Sequence, residues 1–103
     1  MNKHYIGGVI KNDVELINTS NDKYVVNLLV QTQDKFTDKH GKVHIKRCTH
    51  QLEVWDKTAK MVAENYKKGS YIIAIGRSET KKYKDNYITK VIVNSVEDIN
   101  RTL

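Results

Sequence analysis

Two runs in this chain alternate apolar and polar residues with a period of two, and they leave little freedom in fold class. In YVVNLLVQTQ (24–33) the even positions Val26, Leu28, Val30 and Thr32 make one face. In HIKRCTHQLEVW (44–55) the odd positions Arg47, Thr49, Gln51 and Glu53 are polar, while Cys48, Leu52 and Val54 alternate with them on an apolar side. Successive side chains of a strand point to opposite faces, so both runs read as half-buried strands with one wet face. Between them DKFTDKHGKV (34–43) carries turn chemistry from Asp38 to Gly41, which predicts a long hairpin.

The rest of the chain fills in around this pair. In DKTAKMVAENYKKG (56–69) Ala59, Val62, Ala63 and Tyr66 recur at helical spacing, with Asp56 suited to the N-cap and Gly69 to the C-cap. Tyr66 belongs to that stripe and reads as core. YIIAIGRSETKKY (71–83) and YITKVIV (87–93) read as a second hairpin around Lys84, Asp85 and Asn86, with Asn86 in the left-handed position of a three-residue turn. The first strand lies in HYIGGVIKNDVELI (4–17), where Gly7 and Gly8 let a strand bend or another backbone approach. Three strands, a short helix and two further strands predict an all-β domain: a five-stranded Greek-key barrel of the OB type, its helix between strands three and four. At 103 residues, with no proline, repeat or linker-like stretch, residues 1–103 read as a single domain.

The charge is sorted. Residues 35–47 and 77–90 together hold ten basic and three acidic side chains, so these two hairpins account for the whole excess of a chain whose net charge is +6. Such placement suits a polyanionic partner, although lysine-rich turns on an ordinary surface give the same count. The basic residues concerned are Lys35, Lys39, Lys42, Lys46 and Arg47 in the first hairpin, and Arg77, Lys81, Lys82 and Lys84 in the second, with Lys90 further along.

Aromatic rings stand among these cations. Phe36 is alone in the first hairpin. A three-residue turn over 84–86 would make Tyr83 and Tyr87 a cross-strand pair facing one way. Trp55 shares the polar face of Arg47, Thr49, Gln51 and Glu53, where its indole either folds over the start of the helix or offers a free ring. Rings for unpaired bases and cations for phosphates are what single-stranded nucleic acid requires.

These residues carry a family resemblance over nearly the whole chain. MNKHYIGG at the start, DKFTDKHGK, THQLEVWDKTAKMVAENYKKGSYIIAIGRSETKKY and YITKVIV resemble the bacterial and phage single-stranded DNA-binding proteins. The resemblance implies an OB fold that binds single-stranded DNA with little sequence preference, in replication, recombination and repair, usually as a homotetramer. It puts base stacking on Phe36, Trp55 and Tyr83, leaves Tyr87 without support, and places phosphate contacts near Lys35, Arg77, Lys81 and Lys82. It also implies subunit contacts through the first strand, here Tyr5, Ile6 and Gly7, and at His50, in a tetramer or a dimer. Two features depart from the family's pattern. Thr49 stands where a tryptophan is usual, which moves more of the stacking onto the second hairpin. The chain ends in VEDINRTL, without the acidic, hydrophobic tip through which typical members recruit enzymes. This suits a phage or mobile-element version, or a relative of the dimeric primosomal replication protein that mainly binds a helicase or another replication protein such as a polymerase.

Other chemistry has little support. The acids are scattered opposite lysines, and catalysis would need them gathered at one point. His40, His44, Cys48 and His50 list like zinc ligands, but a strand from His44 to His50 spans about 20 Å, too far for one tetrahedral ion. No cofactor or metal is expected. Cys48, the single cysteine, reads as a small buried apolar residue, and a lone cysteine with no secretory leader suits a reducing cytoplasmic setting. No window is apolar enough to span a membrane. Stacking and phosphate contacts serve RNA as well as DNA, so RNA stays open as a partner.

Overall fold

The computed structural model describes residues 1–97. It contains strands β1 (His4–Ile10), β2 (Ile17–Asn18), β3 (Tyr24–Thr37), β4 (Val43–Trp55), helix α1 (Asp56–Asn65), then β5 (Tyr71–Tyr83) and β6 (Asn86–Glu97). Five long strands close into a ring in the order β1, β5, β6, β4, β3 and back to β1, with the two-residue β2 added on β3. The helix falls between the third and fourth long strands, as the element order predicts; the short β2 is the addition. Every pairing is antiparallel except that of β4 with β6, which joins Leu52 to Val91 and Glu53 to Ile92.

The expected apolar rows turn inward. Val26, Leu28, Val30, Leu52 and Val54 are at most 1% exposed and meet Ile10, Ile72 and Ala74 from β1 and β5. Fully burying a side chain of this size stabilises by about 1.5–3 kcal/mol. The helix adds Ala59 and Val62 to the same core, with Ala63 and Tyr66 half-buried against it, so Tyr66 is a packing residue. Cys48 is half-buried rather than buried, because its cross-strand partner Thr32 already lies where the row leaves the core.

Barrel closure rests on β1, which pairs with β5 from His4 to Val9 and with β3 through Val9 and Ile10. Gly8 permits this double duty: a Cβ there would overlap the carbonyl oxygen of Gln31 on β3. The close backbone approach predicted for the Gly7–Gly8 pair therefore falls on Gly8.

Three local expectations need correction. Asp56 does not cap the helix; Trp55 is the N-cap residue, in extended conformation, while Asp56 sits at φ 51° and its Oδ1 accepts the Tyr24 N–H at 3.0 Å. The carboxylate thus ties the helix start to β3. Gly69 is not the C-cap, since the helix ends at Asn65 with Tyr66 capping; Gly69 takes φ 93° in the following turn and donates its N–H to Ile10 O at 2.8 Å. The second hairpin turns on two residues, not three. Tyr83 pairs with Asn86 and Lys82 with Tyr87, and the left-handed backbone belongs to Lys84 at φ 52° rather than to Asn86.

No helix among the described residues is long and apolar enough to cross a membrane. The chain's last residues, on which the reading of its C-terminal end partly rested, lie outside the described residues.

Candidate nucleic-acid interface

The outward rows of β4, β6 and β5 join into one open face. The β4–β6 register sets Glu53 beside Ile92, and the β6–β5 register continues with Ile92 opposite Arg77, Lys90 opposite Glu79, Ile88 opposite Lys81 and Asn86 opposite Tyr83. Alternation places Trp55 in the same row as Glu53. Glu53, Lys81, Tyr83, Ile88 and Lys90 line a shallow depression of about 50 Å³ on this face. Tyr83 is 62% exposed, so its ring serves no core.

Electrostatics on the face are uneven. Arg77 donates to Glu79 Oε2 at 3.1 Å and to Asn94 Oδ1 at 3.2 Å. Lys90 Nζ lies 3.3 Å from Glu53 Oε2. Lys81 has no carboxylate partner among the described residues, which leaves its ammonium open to an anion. Glu53 also accepts the Trp55 indole N–H through Oε1 at 2.9 Å. Trp55 is half-buried and does not lie free: the indole edge is tied down along its own strand.

The β3–β4 hairpin projects beyond the core. Phe36, 52% exposed, stacks on His44 with ring centroids 5.1 Å apart and planes 17° apart. His44 Nε2 donates to Asp38 Oδ2 at 2.7 Å, and Asp38 Oδ1 accepts the His40 and Lys42 N–H groups at 2.9 and 3.0 Å. One carboxylate thereby organises the tip. The bond from His44 and then that from Lys42 hold the Asp38 carboxyl below its ordinary 3.8; burial opposes them, and the bond from His40 adds the smallest lowering. A depressed carboxylate supports its fold above the ordinary value and loses that support only as pH falls through the lowered one. The carbon resonance of the Asp38 carboxyl should therefore titrate with a midpoint below 3.8; a midpoint at or above the ordinary value would mean that these bonds are absent in solution.

The register divides the predicted contacts. Lys35 and Arg47 lie in the same ribbon row as Trp55, whereas Phe36, His44 and Lys46 continue the opposite row. Lys39 and Lys42 are exposed at the tip. On the second hairpin, Tyr83 and Lys81 face one way and Lys82 and Tyr87 the other, with Lys82 Nζ 5.9 Å from the Tyr87 ring centre. The expected side-by-side pair of Tyr83 and Tyr87 is thus wrong, because a turn one residue shorter reverses the face of Tyr87. Lys84 is exposed in the turn itself.

The four residues implied in subunit contact come together. Tyr5, Ile6, Gly7 and His50 border a single cleft of about 490 Å³ between β1 and the roots of the two hairpins. Ile6, however, is only 6% exposed and serves the barrel's own core, so its side chain offers little to a second subunit. Tyr5 is 65% exposed, and His50 Nε2 lies 3.0 Å from Thr32 Oγ1.

Sequence reasoning did not select Glu53 or Ile88 for the face, and counted Lys90 among the basic residues without giving it a contact. For Ile88 and Lys90 a signal existed, since they alternate in YITKVIV, but the misplaced turn obscured which row met Tyr83. For Glu53 no signal existed in a row already read as solvated.

Comparison with known proteins identifies the family and the fold. The pattern of the single-strand binding protein family matches residues 1–99. The chain is 27% identical to single-stranded DNA-binding protein 1 of Chlorobaculum tepidum, over 94% of this chain and 64% of that protein. Among solved structures, a deletion variant of the single-stranded DNA binding protein from Thermus aquaticus superposes with a TM-score of 0.85 at 20% identity, covering 94% of this chain and 49% of the other. The Plasmodium falciparum protein of the same type, solved in complex with single-stranded DNA, gives 0.80 at 20% identity, covering 94% and 91%. At such identities the structural likenesses speak for the fold. The chain spans less than two thirds of the length of the Chlorobaculum relative and about half that of the Thermus chain.

Proposed function

Because the chain belongs to the single-strand binding protein family, we propose that it binds single-stranded DNA with little sequence preference, bases stacking on Trp55 and Tyr83 while Arg77, Lys81 and Lys90 meet the phosphates. The observation that carries this reading is the joined outer face of β4, β6 and β5, whose rows hold the rings and cations together. Phe36, Lys35, Lys39, Lys42, Lys46 and Arg47 on the projecting hairpin extend the path beyond that face. Lys82, Lys84 and Tyr87 supply a second, weaker side of the other hairpin. Contact between copies of the chain uses the cleft bordered by Tyr5, Gly7 and His50, and makes a homo-oligomer.

Stacking contributes about 1–3 kcal/mol per base and accepts any base, which accounts for weak sequence preference. Phosphate contacts release counterions, so affinity falls steeply with salt. Trp55 is the only tryptophan and reports on the face directly. Titration with oligo(dT), oligo(U) and a duplex at two salt concentrations should give strong quenching of Trp55 emission by oligo(dT), fading as salt rises, with a weak response to duplex. Equal responses to all three, or none, would refute the proposal.

A further inference from the structure

A carboxylate near the centre of a face that meets a polyanion is out of place on charge alone. Glu53 occupies that position with its side chain only 17% exposed, and both of its oxygens are engaged: Oε1 by the Trp55 indole at 2.9 Å, Oε2 by Lys90 at 3.3 Å. Trp55 and Glu53 are two residues apart on β4, hence on one face, and Lys90 reaches them from β6 across the parallel pairing. We propose that Glu53 is a positioning residue, which fixes the plane of the Trp55 ring for base stacking and draws Lys90 to its side. This rests on the proposed binding of single-stranded DNA and adds to it the group that preorganises the platform.

The physical case is one of opposing effects. An indole on a barrel's outer surface has two rotatable bonds to immobilise when a base stacks on it, and that ordering subtracts from affinity. A charge-assisted bond from the indole N–H to a carboxylate removes the cost beforehand. Against this, the negative charge repels phosphate. Lys90 offsets that repulsion locally, at 3.3 Å, so the ring is fixed without leaving a bare carboxylate on the path.

The two effects predict opposite signs, which makes the inference testable. Glu53→Gln removes the charge but keeps an oxygen that can accept the indole N–H; Glu53→Ala removes both. If charge alone mattered, the two variants would bind oligo(dT) equally, and both more tightly than the parent chain. If Glu53 positions Trp55, Glu53→Ala binds about three- to tenfold more weakly than Glu53→Gln, the range of one net hydrogen bond. The Trp55 emission maximum and its access to acrylamide should also change in Glu53→Ala and stay closer to the parent in Glu53→Gln, before any DNA is added. In a Trp55→Phe background, which has no N–H to hold, the difference between the two variants should collapse, and this arm uses a labelled oligonucleotide. Thermal unfolding of each variant confirms that a folded chain is compared. Equal affinities for Glu53→Ala and Glu53→Gln, or a difference that persists in the Trp55→Phe background, overturns the inference. Failure of the parent chain to bind oligo(dT) overturns the proposed function instead, and the emission arm still shows whether Glu53 holds the indole.

Discussion

Replacing Trp55 and Tyr83 together by alanine should weaken binding to oligo(dT) by at least about thirtyfold. Two lost stacks are worth about 2–6 kcal/mol, and each 1.4 kcal/mol is tenfold in affinity. Both rings stand on the outer face of the β4–β6–β5 sheet, on either side of β6, so one strand of nucleic acid can meet both. Tyr83 is 62% exposed, and its removal alone should leave the fold intact. Trp55 is half-buried beside Val25, so the double variant is compared with the parent by thermal unfolding before affinity is read. The measurement is a titration of end-labelled oligonucleotide at low salt. Affinity within about threefold of the parent, in a folded double variant, would remove both residues from the binding face. The salt dependence should survive the substitution nearly unchanged, since the cations are all retained.

The second large effect concerns the fold. Gly8→Ala should destabilise the domain by about 1–3 kcal/mol, the usual cost of forcing extra volume into a packed site. For a chain of this size that lowers the midpoint of thermal unfolding by roughly 5–20 °C. The new methyl would overlap the backbone carbonyl of Gln31, which is held in the β3 ladder and cannot swing away. Gly7→Ala, one residue earlier, provides the contrast. Its nearest neighbour is the Tyr71 hydroxyl at 2.7 Å, the free end of a side chain that is 51% exposed and able to move. That substitution should change stability by no more than about 1 kcal/mol, because lost flexibility of the unfolded chain offsets a small adjustment. Equal effects at the two positions, measured by thermal melts, would mean that β1 does not close the barrel through Gly8.

Much of the barrel was legible because strand alternation is a strong signal wherever one face is buried. Val26, Leu28, Val30, Leu52 and Val54 announce their row, and they occupy it. The helix was legible from Ala59, Val62 and Tyr66 for a similar reason. Its caps were not, since cap preferences are small energies that tertiary contact overrides: Asp56 bonds the Tyr24 amide across the domain instead of its own helix. The two-residue β2 is too short to show any period.

The candidate binding face was legible in its residue types and illegible in its geometry. Clustering of Lys81, Tyr83 and their neighbours pointed to an anionic partner at the second hairpin, yet the row of each residue depends on where the turn begins. Asn86 has the chemistry for a left-handed residue, but Lys84 takes that conformation, and a shift of one position moved Tyr87 to the far side. No local composition distinguishes these two turns reliably. Glu53 was hidden more deeply. A glutamate in a polar row reads as solvated surface, and only the distances to Trp55 and Lys90 show that it holds two partners at once.

The pairing of β4 with β6 is short, Leu52 with Val91 and Glu53 with Ile92, whereas each of the two long hairpins is laced along its whole length. The barrel is therefore two robust ribbons buttoned together by this join and by β1. The face proposed for DNA lies across the join, with Trp55 and Glu53 on one ribbon and Tyr83, Lys81 and Lys90 on the other. A strand lying over both would act as an outside splint on one of the barrel's two shortest pairings, and the free energy of binding would stabilise the folded domain as ligand saturation rises. A polymer sheltered by the chain would, on this arrangement, shelter the chain in return.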